Sequence, residues 1–253
     1  MALETIVVPC RADNYGYILR DTATGATALI DAPEAAPLLA ALEARGWGLD
    51  LILITHHHDD HVEGIEPLRA RYGAKVVGAA ADARRLPRLD RELKEGDTVD
   101  LGESRGRVID VSGHTIGHVA YLFDGSAFTA DSLMALGCGR VFEGTYLMMW
   151  GSLSKFFDLP PETLIYSGHN YGAANGRFAL SIEPDNEALK DRIARIAAAD
   201  RAGEPICPST LAEELATNPF LRAREPGVKA AVGLAGADDA AVFAEIRRRK
   251  DNF

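Results

Sequence analysis

The sequence predicts an α/β domain followed by a small all-helical one, and three observations carry that expectation. Short apolar runs bounded by Gly, Asp, Asn and Thr recur up to about residue 170, as strands do. Segments with helical spacing of apolar residues fall between several of them. Beyond Gly168 the strand pattern stops, and helical stretches separated by Pro and Gly are all that follows. The expected division is therefore 1–170 and 171–253.

Taken in order, Glu4 to Val8, Tyr15 to Arg20 and Ala26 to Asp31 read as strands, with turns at Asp13-Asn14 and Thr24-Gly25. Ala35 to Arg45 carries Leu38, Leu39 and Leu42 at helical spacing and stops before Gly46. Leu51 to Thr55 is a buried strand, followed by a helix from about Val62 to Tyr72 and a strand at Lys75 to Ala79. Thr98–Leu101, Arg107–Val111, Val119–Phe123 and Ala127–Ala130 form a run of closely spaced strands. Ser152 to Phe157 reads as helical, and Thr163 to Tyr166 as the last strand. Glu187 to Ala199, Leu211 to Ala216 and Ala240 to Arg249 read as helices.

Composition bounds the function. Of 253 residues, 47% are hydrophobic and 25% charged, which suits a globular protein with ample core. A net charge of -10 argues against nucleic acid or an anionic membrane as a partner, since both select positive surfaces. Cys10, Cys138 and Cys207 are far apart and odd in number, so no disulfide framework is expected. That fits a reducing, cytoplasmic setting. The first residues lack the basic-then-apolar pattern of a signal peptide, and no apolar run approaches the ~20 residues that span a bilayer. A monomer is expected.

The chemistry concentrates in Leu51-Ile-Leu-Ile-Thr-His-His-His-Asp-Asp-His61, where an apolar strand runs straight into six ionisable residues. Four of the chain's seven histidines are here. His56 and His58, two apart, can converge on one ion, and Asp60 and His61 follow closely enough to serve it or a neighbour. Mixed imidazole and carboxylate donors suit zinc, iron or manganese rather than calcium. Three later segments repeat the theme of an ionisable residue just past a strand: Ser112-Gly-His114, Thr129-Ala-Asp131 and Ser167-Gly-His169. Each alone would more often be a satisfied buried histidine or a capping aspartate. Together they could line one edge of a sheet sandwich.

This set resembles the metallo-β-lactamase superfamily, and the resemblance implies an αββα sandwich with two divalent metal ions. It assigns His56, His58 and His114 to one metal, Asp60, His61 and His169 to the other, and Asp131 as the bridge. His57 would point away from the metals, and His118 would be a packing or supporting residue. The finer resemblance is to the hydroxyacylglutathione hydrolase (glyoxalase II) family. It rests on Asp131-Ser-Leu-Met-Ala-Leu-Gly-Cys-Gly-Arg-Val-Phe-Glu-Gly144, Gly168-His-Asn-Tyr171, Glu183-Pro-Asp-Asn186, Pro208-Ser-Thr-Leu-Ala-Glu-Glu, Asn218-Pro-Phe-Leu-Arg222 and the tail Arg247-Arg-Arg-Lys-Asp-Asn-Phe253. It covers essentially the whole chain.

That family hydrolyses S-2-hydroxyacylglutathione, typically S-D-lactoylglutathione, to the hydroxy acid and glutathione in methylglyoxal detoxification. Two metals sharing a water can generate hydroxide near neutral pH for attack on the thioester. Asp60 could also orient that hydroxide beside Asp131. Arg140, Phe142, Tyr171, Arg247 and Lys250 are the implied glutathione contacts. Zinc is the first expectation for the metal, with iron or manganese as alternatives. A persulfide dioxygenase of the same superfamily, using one iron, is the alternative reading, though it does not normally carry this helical tail. Asp59 and Glu63 add two acids that either tune metal affinity or face solvent, and Cys138 reads as structural. Phe142 stands where many relatives have tyrosine, so Phe142→Tyr is expected to lower KM for the glutathione thioester. The net ~1 kcal/mol of one added hydrogen bond corresponds to about fivefold, and an unaltered KM would contradict the assignment.

Overall fold

The computed structural model describes residues 3–253 and places them in two compact units. The first comprises residues 3–111 and 116–130; the second comprises residues 112–115 and 131–253.

In the first unit, β1 (Leu3–Cys10), β2 (Asn14–Asp21), β3 (Thr27–Ile30), β4 (Leu51–Leu53), β5 (Lys75–Ala79) and β6 (Arg91–Leu93) form one sheet in sequence order. β1 to β3 are antiparallel neighbours; β3 to β6 are parallel, with Ile30 level with Leu53. Parallel strands need crossover connections, and α1 (Ala35–Glu43), then α2 (Asp59–Val62) with α3 (Ile65–Tyr72), supply two of them. β7 (Thr98–Leu101), β8 (Ser104–Asp110), β9 (Val119–Phe123) and β10 (Ser126–Ala130) form an antiparallel ladder.

Side-chain alternation decides what each face of the first sheet covers. Ile18, Leu29, Ile52 and Val76 point to one side and bury with Leu38 and Leu42 of α1 and Ile65 and Leu68 of α3. Tyr17, one residue from Ile18, faces the ladder, where its ring lies 5.6 Å from that of Phe128. Tyr121 donates its hydroxyl to the Ile54 carbonyl at 2.7 Å. Helices on one face and a second sheet on the other give the layering expected from sequence. The expected helix over 62–72 is interrupted at Gly64, whose amide donates to the Ala32 carbonyl at 2.8 Å instead of into the helix; the backbones run so close here that a Cβ would lie 2.8 Å from the Ala35 nitrogen. β6 was not anticipated.

In the second unit, β11 (Leu133–Met134) and β12 (Gly137–Cys138) make a tight hairpin, and β13 (Leu164–Ser167) pairs with β14 (Ser209–Thr210). The remainder is helical: α4 (Tyr146–Ser154), α5 (Gly172–Ile182), α6 (Glu187–Ala202), α7 (Leu211–Thr217), α8 (Pro226–Ala231) and α9 (Asp239–Asp251). Leu136, Ala179, Leu189 and Ile196 form a local core, with Leu180, Ile193 and Ile206 packed on it. Two expectations are corrected. β13 is not the last strand, since Ser209 and Thr210 add a short one before the Thr210 capping box of α7. The helix expected over 152–157 instead starts at Tyr146, where the Thr145 hydroxyl caps the Met148 amide at 3.1 Å; a short 3₁₀ turn follows it. Helix α5 was not anticipated either.

The two layers of the first unit are tied by Asp21. Its carboxylate accepts from the Ser104 hydroxyl (2.7 Å) and amide (3.0 Å) at the start of β8, and from Thr24. Above all the Ser104 hydroxyl holds the Asp21 pKa down, from 3.8 to about 2. A depressed carboxylate stabilises the fold above its unfolded pKa, and that contribution is lost as pH falls through the folded value. Asp21→Asn should therefore lower stability at pH 7 and flatten the acid-unfolding curve between about pH 4 and pH 2. Denaturation midpoints measured across that range check it; identical pH dependence in both proteins would contradict it.

Candidate metal centre

In the first unit, chemistry gathers at the carboxyl ends of three adjacent parallel strands, where open α/β sheets place ligands. Asp31 follows β3, His56 to His61 follow β4, and Asp82 follows β5. Asp31 takes a left-handed backbone, φ 55°, which aspartate tolerates better than most residues. Its Oδ1 accepts the Thr55 amide at 2.8 Å; its Oδ2 accepts the Thr55 hydroxyl at 2.7 Å and faces His61 Nδ1 at 2.8 Å. The Thr55 oxygen lies 3.1 Å from His56 Nδ1. Because that hydroxyl already donates to Asp31, it can only accept from His56. One carboxylate thus places the Nδ1 proton on both His56 and His61, and leaves Nε2 as the nitrogen a metal could take.

The remaining residues fall into roles. His56 Nε2 and His58 Nδ1 are 3.1 Å apart, the separation of two donors that can share a cation. Asp60 is half-buried, and the Asn14 amide donates to both its Oδ2 and its carbonyl at 3.0 Å. His61 Nε2 lies 3.9 Å from Asp60 Oδ2. Asp31, His56 and His61 could by proximity alone form a three-donor cluster. The Asp31 oxygens are committed to Thr55 and His61, however, so Asp31 orients the two imidazoles rather than offering itself to an ion. His57 turns to Asp82, with Nδ1 2.9 Å from Oδ2, and His118 stacks on His56 at 4.6 Å with planes 11° apart. Both are as the sequence suggested. Asp59 is exposed, and Glu63 pairs with Arg11 at the surface, so both acids face solvent. Asp31, Asn14 and Asp82 were not singled out from sequence. For Asp31 the available signal was an acid directly following a strand.

The second unit holds a matching cluster. His114 Nε2 and His169 Nε2 each lie 3.4 Å from Asp131 Oδ2, placing two imidazoles around one buried carboxylate oxygen. His114 Nδ1 faces the Arg140 carbonyl at 2.7 Å, which assigns its proton there and leaves Nε2 for ligation. Only glycine fits at 139, since a Cβ would fall 2.0 Å from the Asp131 carbonyl oxygen. Tyr171 stacks on His169 at 4.7 Å, and Phe142 sets its edge against His114 at 5.3 Å.

The residues expected to contact glutathione differ in exposure. Phe142 is 62% exposed and Tyr171 39%, and the Arg140 side chain is open to solvent. Lys250 is half-buried over the Phe178 and Phe253 rings and donates to the Ala174 carbonyl at 3.2 Å. Burial, with Arg247 and Arg177 nearby, lowers its pKa. Arg247 is buried, and its guanidinium is engaged by the Asp251 carboxylate at 2.9 Å and the Cys138 carbonyl at 2.9 Å. Burial pushes the Cys138 thiol up to about 11 against the pull of Arg247, which disfavours the thiolate at neutral pH.

Two family models match the chain. The metallo-beta-lactamase superfamily covers residues 12–169, and the hydroxyacylglutathione hydrolase C-terminus covers residues 170–253. A hydroxyacylglutathione hydrolase of Cereibacter sphaeroides is 60% identical over 255 residues, covering 100% of both chains. This chain belongs to the hydroxyacylglutathione hydrolase family. Among solved structures, ETHE1 from Myxococcus xanthus is 25% identical with a TM-score of 0.64, covering 99% of this chain and 98% of that one. TTHA1623, solved in a di-iron-bound form, is 25% identical with a TM-score of 0.61, over 86% of this chain and all of that one. Both share the αββα metallo-β-lactamase fold, and neither approaches the identity of the hydrolase relative. On this fold, the His/Asp clusters suit divalent metal binding.

If Asp31 sets the His61 tautomer, Asp31→Asn should present an amide N–H to Nδ1 and move the imidazole proton to Nε2. Zinc affinity, measured by competition with a chromogenic chelator, should fall about 10- to 100-fold while the apoprotein stays folded. Unchanged affinity would contradict the assignment.

Proposed function

We propose that the protein hydrolyses S-2-hydroxyacylglutathione thioesters, with S-D-lactoylglutathione as the reference substrate, using two divalent metal ions. His56, His58 and His114 would hold one ion, Asp60, His61 and His169 the other, and Asp131 would bridge. The observation that carries the reading is family membership over the full length, with the helical C-terminal segment included. The donor chemistry fits: His56, His61 and His114 are each held by a hydrogen bond at Nδ1, and the single Asp131 oxygen lies beside two imidazoles. Zinc is the first candidate, with iron or manganese accepted by the same ligands.

Bound divalent ions supply Lewis acidity, lowering the pKa of a coordinated water and polarising a carbonyl. The chain supplies the rest. Asn14 holds the Asp60 carboxylate so that one oxygen can orient the attacking water. The departing thiolate is a good leaving group, so no strong general acid is needed, and Cys138, buried with its pKa pushed up, takes no part. Arg140 offers an open cation for an anionic glutathione carboxylate, and the Tyr171 and Phe142 rings flank the histidines. The division at 170/171, a cytoplasmic setting, a monomeric state and no nucleic-acid partner complete the reading. Among the described residues no helix is long and apolar enough to cross a membrane, and Cys10, Cys138 and Cys207 are buried and form no disulfide.

Following loss of thioester absorbance on purified protein tests the proposal. Turnover of S-D-lactoylglutathione that disappears with chelation and returns with zinc is expected. Oxygen uptake on glutathione persulfide with no thioester turnover would favour the one-iron dioxygenase. Arg140→Ala should raise KM about tenfold, the loss of roughly 1.4 kcal/mol of binding, with kcat within twofold. An unchanged KM would remove Arg140 from the substrate contacts.

A further inference from the structure

The β11–β12 hairpin lies between two groups assigned to the metal site. Asp131 stands two residues before β11, and the Arg140 carbonyl that orients His114 stands two residues after β12. The Gly139 amide donates back to the Ser132 carbonyl at 3.2 Å, drawing the two ends together. Where the hairpin sits therefore decides where the Asp131 carboxylate and the His114 imidazole point.

The hairpin turn is not self-sufficient. Leu136 is forced into the left-handed region at φ 59°, which a branched side chain adopts only when its surroundings impose it. Three side chains from the helical segment impose it, all through backbone groups. Glu214 Oε2 accepts the Leu136 amide at 3.1 Å. The Asn218 amide nitrogen donates to the Met134 carbonyl at 3.1 Å and the Gly137 carbonyl at 2.9 Å, bridging the two strands across the turn. The Asn175 amide nitrogen donates to the Ala135 carbonyl at 3.1 Å.

The clamp is itself fixed. Glu214 is fully buried; its Oε1 pairs with the Arg192 guanidinium and accepts from the Ser209 hydroxyl at 2.6 Å. Its Oε2 also lies 3.0 Å from the Asn218 side-chain nitrogen, whose two hydrogens are shared among this oxygen and the two hairpin carbonyls. Asn218 is fully buried, and its carbonyl oxygen caps the Phe220 amide at 3.1 Å. Buried polar groups this completely satisfied hold one geometry, because any displacement strands a donor or a charge.

We propose that Asn218 and Glu214 are positioning residues for the metal ligands Asp131 and His114, acting through the hairpin; this rests on the metal site of the proposed function. The helical segment thus sets metal affinity as well as carrying substrate contacts. Neither residue touches the metals or the substrate.

Zinc affinity of the full-length apoprotein, measured by chelator competition, tests this in Asn218→Ala, Glu214→Gln and Asn175→Ala. The control is Val228→Ala, a fully buried residue of α8 that shares no apolar cluster with the hairpin. Affinity should fall at least tenfold in Asn218→Ala and Glu214→Gln, and less in Asn175→Ala, which loses one bond. The kcat of the Asn218 variant should drop at limiting zinc and recover with excess zinc, while KM for S-D-lactoylglutathione stays within twofold. Val228→Ala should lower the melting temperature and leave zinc affinity within twofold. Wild-type affinity in the clamp variants, or an equal loss in Val228→Ala, would overturn the proposal. If Asn218→Ala does not fold, Glu214→Gln and Asn175→Ala decide. A wild-type protein that binds no zinc would instead sink the proposed function and this inference with it.

Discussion

The Asp31 carboxylate is the constraint on which the rest of the first unit's chemistry depends. It is almost wholly buried, and burying a charge is tolerated only when the charge is paired and hydrogen-bonded. Here its partners are the backbone and side chain of Thr55 and the ring of His61, so the stabilisation it needs is the same interaction that orients two imidazoles. The parallel register of β3 and β4 brings Asp31 level with the start of the histidine loop, and no flexible side chain has to reach for its partner. Rigid strands supply the position, and one acid supplies the proton placement on His56 and His61.

The second unit solves the same problem with a backbone carbonyl. His114 faces the Arg140 oxygen, and that oxygen belongs to a hairpin tightened by Gly139 and turned through a left-handed leucine. The two clusters share a logic, since each imidazole with a defined partner keeps its Nδ1 proton occupied and presents Nε2. Cys138 and Arg247 belong to this scaffold: the arginine bonds the Cys138 carbonyl and Asp251, which anchors the end of α9 to the hairpin strand.

The two His/Asp clusters were legible because their pattern is narrow: an apolar strand followed at once by imidazole and carboxylate recurs too often to be surface accident. The layered fold was legible from the alternation of apolar runs and helical spacing. The supporting residues were hidden for a physical reason. Asp31 is 24 residues from Thr55, and Asn14 is 46 from Asp60, so only strand pairing and chain return bring them together. Asn14 even reads as a turn signal. Helix α5 was missed because Gly172 and Gly176 dilute its periodicity, although both face isoleucines too close for any side chain. The start of α4 was signalled by Thr145, but the surrounding glycines masked it. Arg247 was assigned to the substrate by resemblance, and only the folded structure reveals how fully its guanidinium is engaged within the protein.

The central claim is that these seven side chains hold a pair of divalent ions. The most direct measurement is zinc stoichiometry of reconstituted apoprotein by equilibrium dialysis and elemental analysis, with Asp131→Asn alongside. The account predicts about two ions per wild-type chain, as a shared-water site requires, and a loss of at least one when the Asp131 carboxylate becomes an amide. One ion or none in the wild type, or two ions held as tightly without the Asp131 carboxylate, would contradict it.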